Sequence, residues 1–443
     1  MIFEELEGMG PSLVASIRRW LWKPKYYTRG LLILERIEGL LSVTWRSVPG
    51  SPCWMPNRYL GFLRCRPQTV KLYVEGLPLR DVRSSPCFPD EIPAGVLVSL
   101  KMREPLAIEP NLLPMIQELL LKAERLENFH YEDRGRGRQF TFGPDDRLPP
   151  FRELKLRCYG WHHDRNQVLA HWDFSRIRSL ELLSVPIYNF LSSVSFATLA
   201  DLHTFCVEDA YAYVPDEQQR TGTRGLYNLV KHHIRALTTL QITGCHTQLF
   251  PIDAILVHGN TLETLRFRDA IGFEDDWRHC PTLPVDDVLT LADHLPFLHT
   301  LELDMDITSY EASMFLKALC TFRRLHTLTL HVQTLLWPIR ELGNAPASED
   351  PDRDAAMAIF QFLLESKDTW RRLTLKVGGW RRIGVRRLSA AWRQMNAQGR
   401  YAERCFVMER AGEDGRMEVR EEEMITEPEG VRNGVAGTGV GAA

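Results

Sequence analysis

The sequence has no apolar run of about 18 residues or more, so its pattern contains no conventional membrane-spanning helix and no membrane partner is expected. It has no excess of either charge: 54 Lys and Arg stand against 57 Asp and Glu, a formal net charge of -3. That balance gives no general pull towards nucleic acid or anionic lipid. Positive charge is missing from the first residues too. Glu4, Glu5 and Glu7 lie where a secretory signal would carry basic side chains. The 9 cysteines include no C-x-x-C pair. They read as free thiols in a reducing compartment, cytoplasmic or nuclear. There is no Gly-rich phosphate loop, and no Ser-His-Asp or Cys-His order with a nucleophile elbow. No catalytic residue is assigned, and the chain does not read as an enzyme. Histidines cluster only at His162-His163 with His171 and at His232-His233, without carboxylate or cysteine at zinc-site spacing. They read as surface or turn residues, and neither metal nor cofactor is expected. Asp286-Asp287 reads as negative charge at a helix N-terminus.

What the chain has in abundance is one hydrophobic frame, leucine-x-x-leucine-x-leucine. It is clearest at Leu298-Leu301-Leu303, Leu325-Leu328-Leu330 and Leu262-Leu265-Phe267. It recurs at Leu237-Leu240-Ile242, Leu202-Phe205-Val207, Ile177-Leu180-Leu182, Phe151-Leu154-Leu156, Leu126-Phe129-Tyr131 and Trp370-Leu373-Leu375. Weaker copies sit at Leu97-Leu100-Met102, Pro67-Val70-Leu72 and Leu40-Val43-Trp45. A repeat of roughly 25–30 residues is the signature of stacked supersecondary units sharing one core. Within each frame the last two apolar residues are two apart and share a strand face, and the first enters the core from the preceding turn. Helix-like spacing lies between frames, at 285–292, 310–319 and 352–364. Strand, turn, helix, turn, strand is a crossover unit.

This register resembles the leucine-rich-repeat family. The resemblance implies an α/β solenoid, a horseshoe with parallel strands on the concave wall and helices on the convex wall, over residues 40–378. One departure stands out. The family often places Asn or Cys eight residues after the first leucine, bonding the turn backbone. Here Cys245 fits, while Val185, Ala210, Ala270 and Asp306 fill equivalent places. Irregular turns are therefore expected. The longest gaps between frames carry residues 211–225, 273–284 and 342–354, read as insertion loops.

Residues 1–39 read as a helical N-terminal cap, with an amphipathic helix over Ser12–Trp22 stopped by Pro24. The same segment is similar to the middle of an F-box, the helical module that docks on a Skp-type adaptor of cullin ubiquitin ligases. Ile2, Phe3, Leu6, Leu13, Ile17 and Trp20 are the residues that this resemblance assigns to adaptor binding. The motif's usual leucine-proline opening has no counterpart in the sequence, so the module reads as truncated or degenerate. Residues 379–410 read as a basic capping helix. Residues 411–443 read as an acidic, then Gly-rich, disordered tail.

A solenoid offers a long surface, so the expected function is protein binding. Residues between the core leucines point to the opposite strand face. Their charged members Lys101, Arg103, Lys155, Arg157, Arg266, Arg268, Glu302 and Asp304 are the protein-binding candidates. The resemblance implies the substrate-recognition arm of an F-box-type ligase adaptor, binding a protein substrate on the concave face or the insertion loops. The alternatives are a repeat scaffold with no ligase link, or weak nucleic-acid binding through the basic segments Arg134–Arg138 and Arg381–Arg404.

Overall fold

The structure is a computed structural model. It describes residues 14–17, 41–46, 61, 63, 70–77, 92–102, 112–133, 137–209, 216–269, 282–306, 312–332, 351–377, 404–411 and 416–422. The chain divides into two compact units, Met1–Leu262 and Glu263–Ala443.

The first unit carries strands β1 (Val14–Ile17), β2 (Ser42–Arg46), β3 (Lys71–Leu77), β4 (Leu97–Met102), β5 (Asn128–Glu132), β6 (Glu153–Arg157), β7 (Ser179–Val185), β8 (Thr204–Asp209) and β9 (Thr239–Cys245). Each pairs in parallel with the next in sequence order. Its helices are α1 (Leu112–Lys122), α2 (Arg165–His171), α3 (Ile187–Ser193), α4 (Asp216–His232) and the single turn α5 (Asp253–Leu256). The second unit carries β10 (Thr264–Asp269), β11 (Thr300–Met305), β12 (Thr327–Val332), β13 (Arg372–Val377), β14 (Arg404–Ala411) and β15 (Arg416–Glu422). Its helices are α6 (Val285–His294), α7 (Ala312–Cys320) and α8 (Pro351–Ser366). Strands β10 to β13 are parallel, and β14 and β15 add antiparallel strands. The fold is thus α/β, with mostly parallel strands in sequence order.

The hydrophobic frame explains the strands. Phe129, Leu154, Leu180, Phe205 and Leu240 are successive register partners in the first unit. Leu265, Leu301, Leu328 and Leu373 are the same in the second. All are buried, as are the turn leucines Leu202, Leu237, Leu298 and Leu325. Burying each such side chain stabilises by about 1.5–3 kcal/mol. The helices present one apolar stripe: Ala312, Phe315, Leu316 and Leu319 of α7 are buried at helical spacing. Asp286 and Asp287 lie in the first turn of α6, where the helix dipole favours them.

Backbone bonding repeats with the frame. At the starts of β6 to β9 and of β11 to β13 one carbonyl accepts two N–H groups of the next frame. Glu263 O takes His299 N–H at 2.8 Å and Thr300 N–H at 3.1 Å. Glu127, Arg152, Arg178, His203, His299 and His326 do the same. The turns after the strands are met individually. Cys158, Ser184 and Gly244 each adopt a left-handed conformation, with φ of 53, 54 and 81 degrees. They hold equivalent places after Phe151, Ile177 and Leu237. Elsewhere a side chain accepts from the turn: Asp209 from Ile187 N–H, Thr223 from His246 N–H, Thr282 from Asp306 N–H and Asp304 from Asp269 N–H.

Four sequence expectations are corrected. Val14–Ile17 is not part of a helix over Ser12–Trp22 but a strand pairing with β2. Its β-branched ends suit an extended segment, and pairing covers the edge of β2. Arg404–Arg410 belongs to a strand rather than to a basic capping helix: Cys405, Phe406, Val407 and Met408 are all buried against the last parallel strand. Within the supposed disordered tail, Arg416–Glu422 is a strand too, where paired charges offset low hydrophobicity. The gap at 211–225 is helical from Asp216 onward. Its glycines allow close packing, since a Cβ at Gly225 would lie 3.0 Å from Leu191 Cδ1.

Candidate functional site

The candidate surface is the sheet face opposite the leucine core, called here the open face. In the first unit, Lys101, His130, Lys155, Glu181, Cys206 and Gln241 form one row of register partners across β4 to β9. Charges of opposite sign meet across strands. Lys101 Nζ lies 3.2 Å from Glu153 Oε1, and Lys155 Nζ lies 2.6 Å from Glu181 Oε2. Arg157 Nη1 is 3.6 Å from Glu132. His130 Nε2 meets Glu153 Oε1 at 2.5 Å. That hydrogen bond holds the Glu153 carboxyl down to about 2; burial opposes it, and the charges of His130 and Lys101 assist. The side chains are half-buried, with Lys101 and Glu153 each 29% exposed.

The second unit arranges similar side chains differently. Arg266 Nε donates to Glu302 Oε2 at 2.7 Å, and Arg268 Nε donates to Asp304 Oδ1 at 2.9 Å. His331 Nε2 bonds Glu302 Oε1 at 2.6 Å, and Lys376 Nζ stands 4.0 Å away. Here exposure varies along the face: the Arg266 side chain is 38% exposed, whereas those of Arg268 and Asp304 are 10% and 3% exposed. Burial, with the Arg268 charge beside it, holds the His331 imidazole down to about 3. At neutral pH it is therefore the uncharged ring that donates Nε2–H to Glu302. Burial raises the Glu302 carboxyl, but the His331 hydrogen bond and the Arg266 and Lys376 charges outweigh it and leave it below the usual range. Burial raises the Asp304 carboxyl, against the pull of Arg268 and the Asp269 N–H.

Two expectations about this face change. Lys101, Lys155 and Arg157 are half-buried, and each already meets a carboxylate. Arg268, Glu302 and Asp304 are not solvent-facing at all. Strand alternation gives the side on which a residue stands, not whether that side is wet. Arg103, Ile2, Phe3, Leu6, Leu13 and Trp20 lie outside the described residues, and Ile17 ends β1. Glu132, His331 and Lys376 join these networks without having been singled out. Glu132, His331 and Lys376 stand two residues beyond His130, Thr329 and Thr374, so the alternation that selected Arg268 and Asp304 also finds them.

Other sequence candidates resolve into structure. His163 and His171 are buried, not surface residues. No helix forms within residues 137–150, and aromatic side chains fill the space instead: Phe129, Phe140, Tyr159, Trp161, Trp172 and Phe174 are all buried. Tyr159 OH accepts from Phe140 N–H at 2.9 Å and shares a hydrogen bond with His163 Nε2 at 2.8 Å. Burial holds the His163 imidazole down to about 4. Arg138 of the basic loop forks onto Asp133. Cys158, Cys206, Cys320 and Cys405 are free thiols. Among the described residues no group of three or more His, Cys, Asp or Glu is placed to hold a metal ion. Nor, among them, is any helix long and apolar enough to cross a membrane. No family model and no curated protein matches the chain.

Proposed function

We propose that the protein is a non-enzymatic interaction module, a solenoid of leucine-rich-repeat type, that holds a partner protein on the open face of its first unit. The observation that carries this reading is the half-buried ladder Lys101, His130, Glu153, Lys155, Glu181 with Arg157 and Glu132. Half-exposed ion pairs contribute only about 0–1 kcal/mol to stability. A partner's own charges replace them at little cost. Regular strands hold them at fixed spacing, so the surface is ordered before binding. Such charges supply orientation and specificity more than affinity. The buried Arg268–Asp304 pair of the second unit has the opposite character, since exchanging it exposes uncompensated charge.

The test is affinity capture of the full chain against a Lys101→Glu/Lys155→Glu variant. Loss of specific partners from a variant that melts normally supports the reading. Unchanged partners count against this face.

The narrower reading, the substrate-recognition arm of an F-box-type ubiquitin ligase, rests on residues 1–22. The strand at Val14–Ile17 favours the scaffold alternative, because the adaptor-binding module is helical there. Co-purification with a Skp-type adaptor, lost on Ile2→Asp or Leu6→Asp, would restore the ligase reading.

A further inference from the structure

The last strand of the sheet, β15, pairs with β14 on one side. Among the described residues no strand lies on its other side. Glu418, Arg420 and Glu421 are exposed. A free strand edge presents unpaired N–H and C=O groups and accepts another strand unless something discourages it. One-sign charge is the usual discouragement. β15 instead alternates: Arg416, Glu418, Arg420 and Glu422 share one face, and Met417, Val419 and Glu421 share the other.

We propose that β15 is a homodimerisation edge, pairing antiparallel with β15 of a second copy about a two-fold axis through Val419. The sequence selects this register. With Val419 opposite Val419, Glu418 faces Arg420, and the two-fold axis repeats the pair. Keeping the same faces together allows slips of two residues only. One slip sets Glu418 against Glu418. The other sets Arg420 against Arg420 and Glu418 against Glu422. Both put like charges directly opposite, which is destabilising. Within one chain, Arg420 already bridges Glu409 and Glu422, and Arg372 reaches Glu422. These contacts hold the charged row in place before a second copy arrives. A single strand pair is a small contact, so the dimer dissociates on dilution. This inference is independent of the recognition face proposed above.

Sedimentation equilibrium of the full chain over a wide concentration range tests it. The wild type should show a concentration-dependent dimer. Glu418→Arg should weaken it by about tenfold or more, because the introduced arginine faces Arg420 of the second copy. Within the chain the same change relieves the Glu409–Glu418 register pair, so the melting temperature should hold or rise. Arg420→Glu alone should also weaken the dimer. An equal mixture of the two variants should recover it, since each introduced charge then meets its opposite. A wild type that stays monomeric, a dimer indifferent to Glu418→Arg, or a mixture of folded variants that fails to associate would each overturn the proposal.

Discussion

The open faces of the two units carry the same kinds of side chain, yet the Arg268–Asp304 pair of the second differs from the ladder of the first in what water does to it. Lys155 and Glu181 are 33% and 24% exposed, whereas Arg268 and Asp304 are 10% and 3% exposed. The first pair is screened and exchangeable. The second has lost its hydration and depends on its partner. Cross-strand pairing alone therefore does not distinguish recognition from structure. Exposure decides, because it sets the cost of separating the charges.

The largest effect should come from the buried pair. Arg268→Glu sets a carboxylate against Asp304 and should destabilise by about 3–5 kcal/mol or more in urea unfolding. The double change Arg268→Met/Asp304→Leu should recover much of that loss, since an apolar pair needs no compensation. Core truncation comes next and should not discriminate between the units. Leu301→Ala and Leu154→Ala, both fully buried, should each cost roughly 2–5 kcal/mol. A large disparity between them would show that the two cores are not equivalent.

Acid should act on both units over different ranges. The His163 imidazole falls from 6.5 in a free side chain to about 4 when folded. The unfolded chain therefore binds more protons in that window. Its contribution is complete above pH 6.5 and is lost as pH falls to about 4. His331 carries the decline on to about pH 3. Glu153 contributes above its ordinary value of 4.5, a contribution lost as pH falls to about 2. Nuclear magnetic resonance titration should find both His163 and His331 neutral at pH 6. The smallest effect is expected on the exposed ladder: Lys155→Glu should change unfolding free energy by about 1 kcal/mol or less.

The sequence made the parallel strands legible through one repeated apolar spacing, and Leu265, Leu301, Leu328 and Leu373 fall into the register it implies. It also marked α6, α7 and α8 by helical periodicity and by the aspartates of the first α6 turn. The ends were less legible for a physical reason. Val14–Ile17 and Arg416–Glu422 are short and carry weak patterns of their own; neighbouring strands hold them by backbone pairing, which composition does not encode. The aromatic core around Trp161 and Trp172 was hidden because its members come from turns rather than from periodic elements. Of the candidate site, alternation identified the face and most of the cations. Wetness depends on what packs above each strand, and that is a property of the whole fold.

The most direct test of this account sets two charge reversals side by side, scored for melting temperature and for captured partners. Lys101→Glu/Lys155→Glu should melt within about 3 °C of the wild type and lose specific partners, while Arg268→Glu should melt far below the wild type. The account is contradicted if the ladder variant keeps every partner, or if Arg268→Glu melts like the wild type.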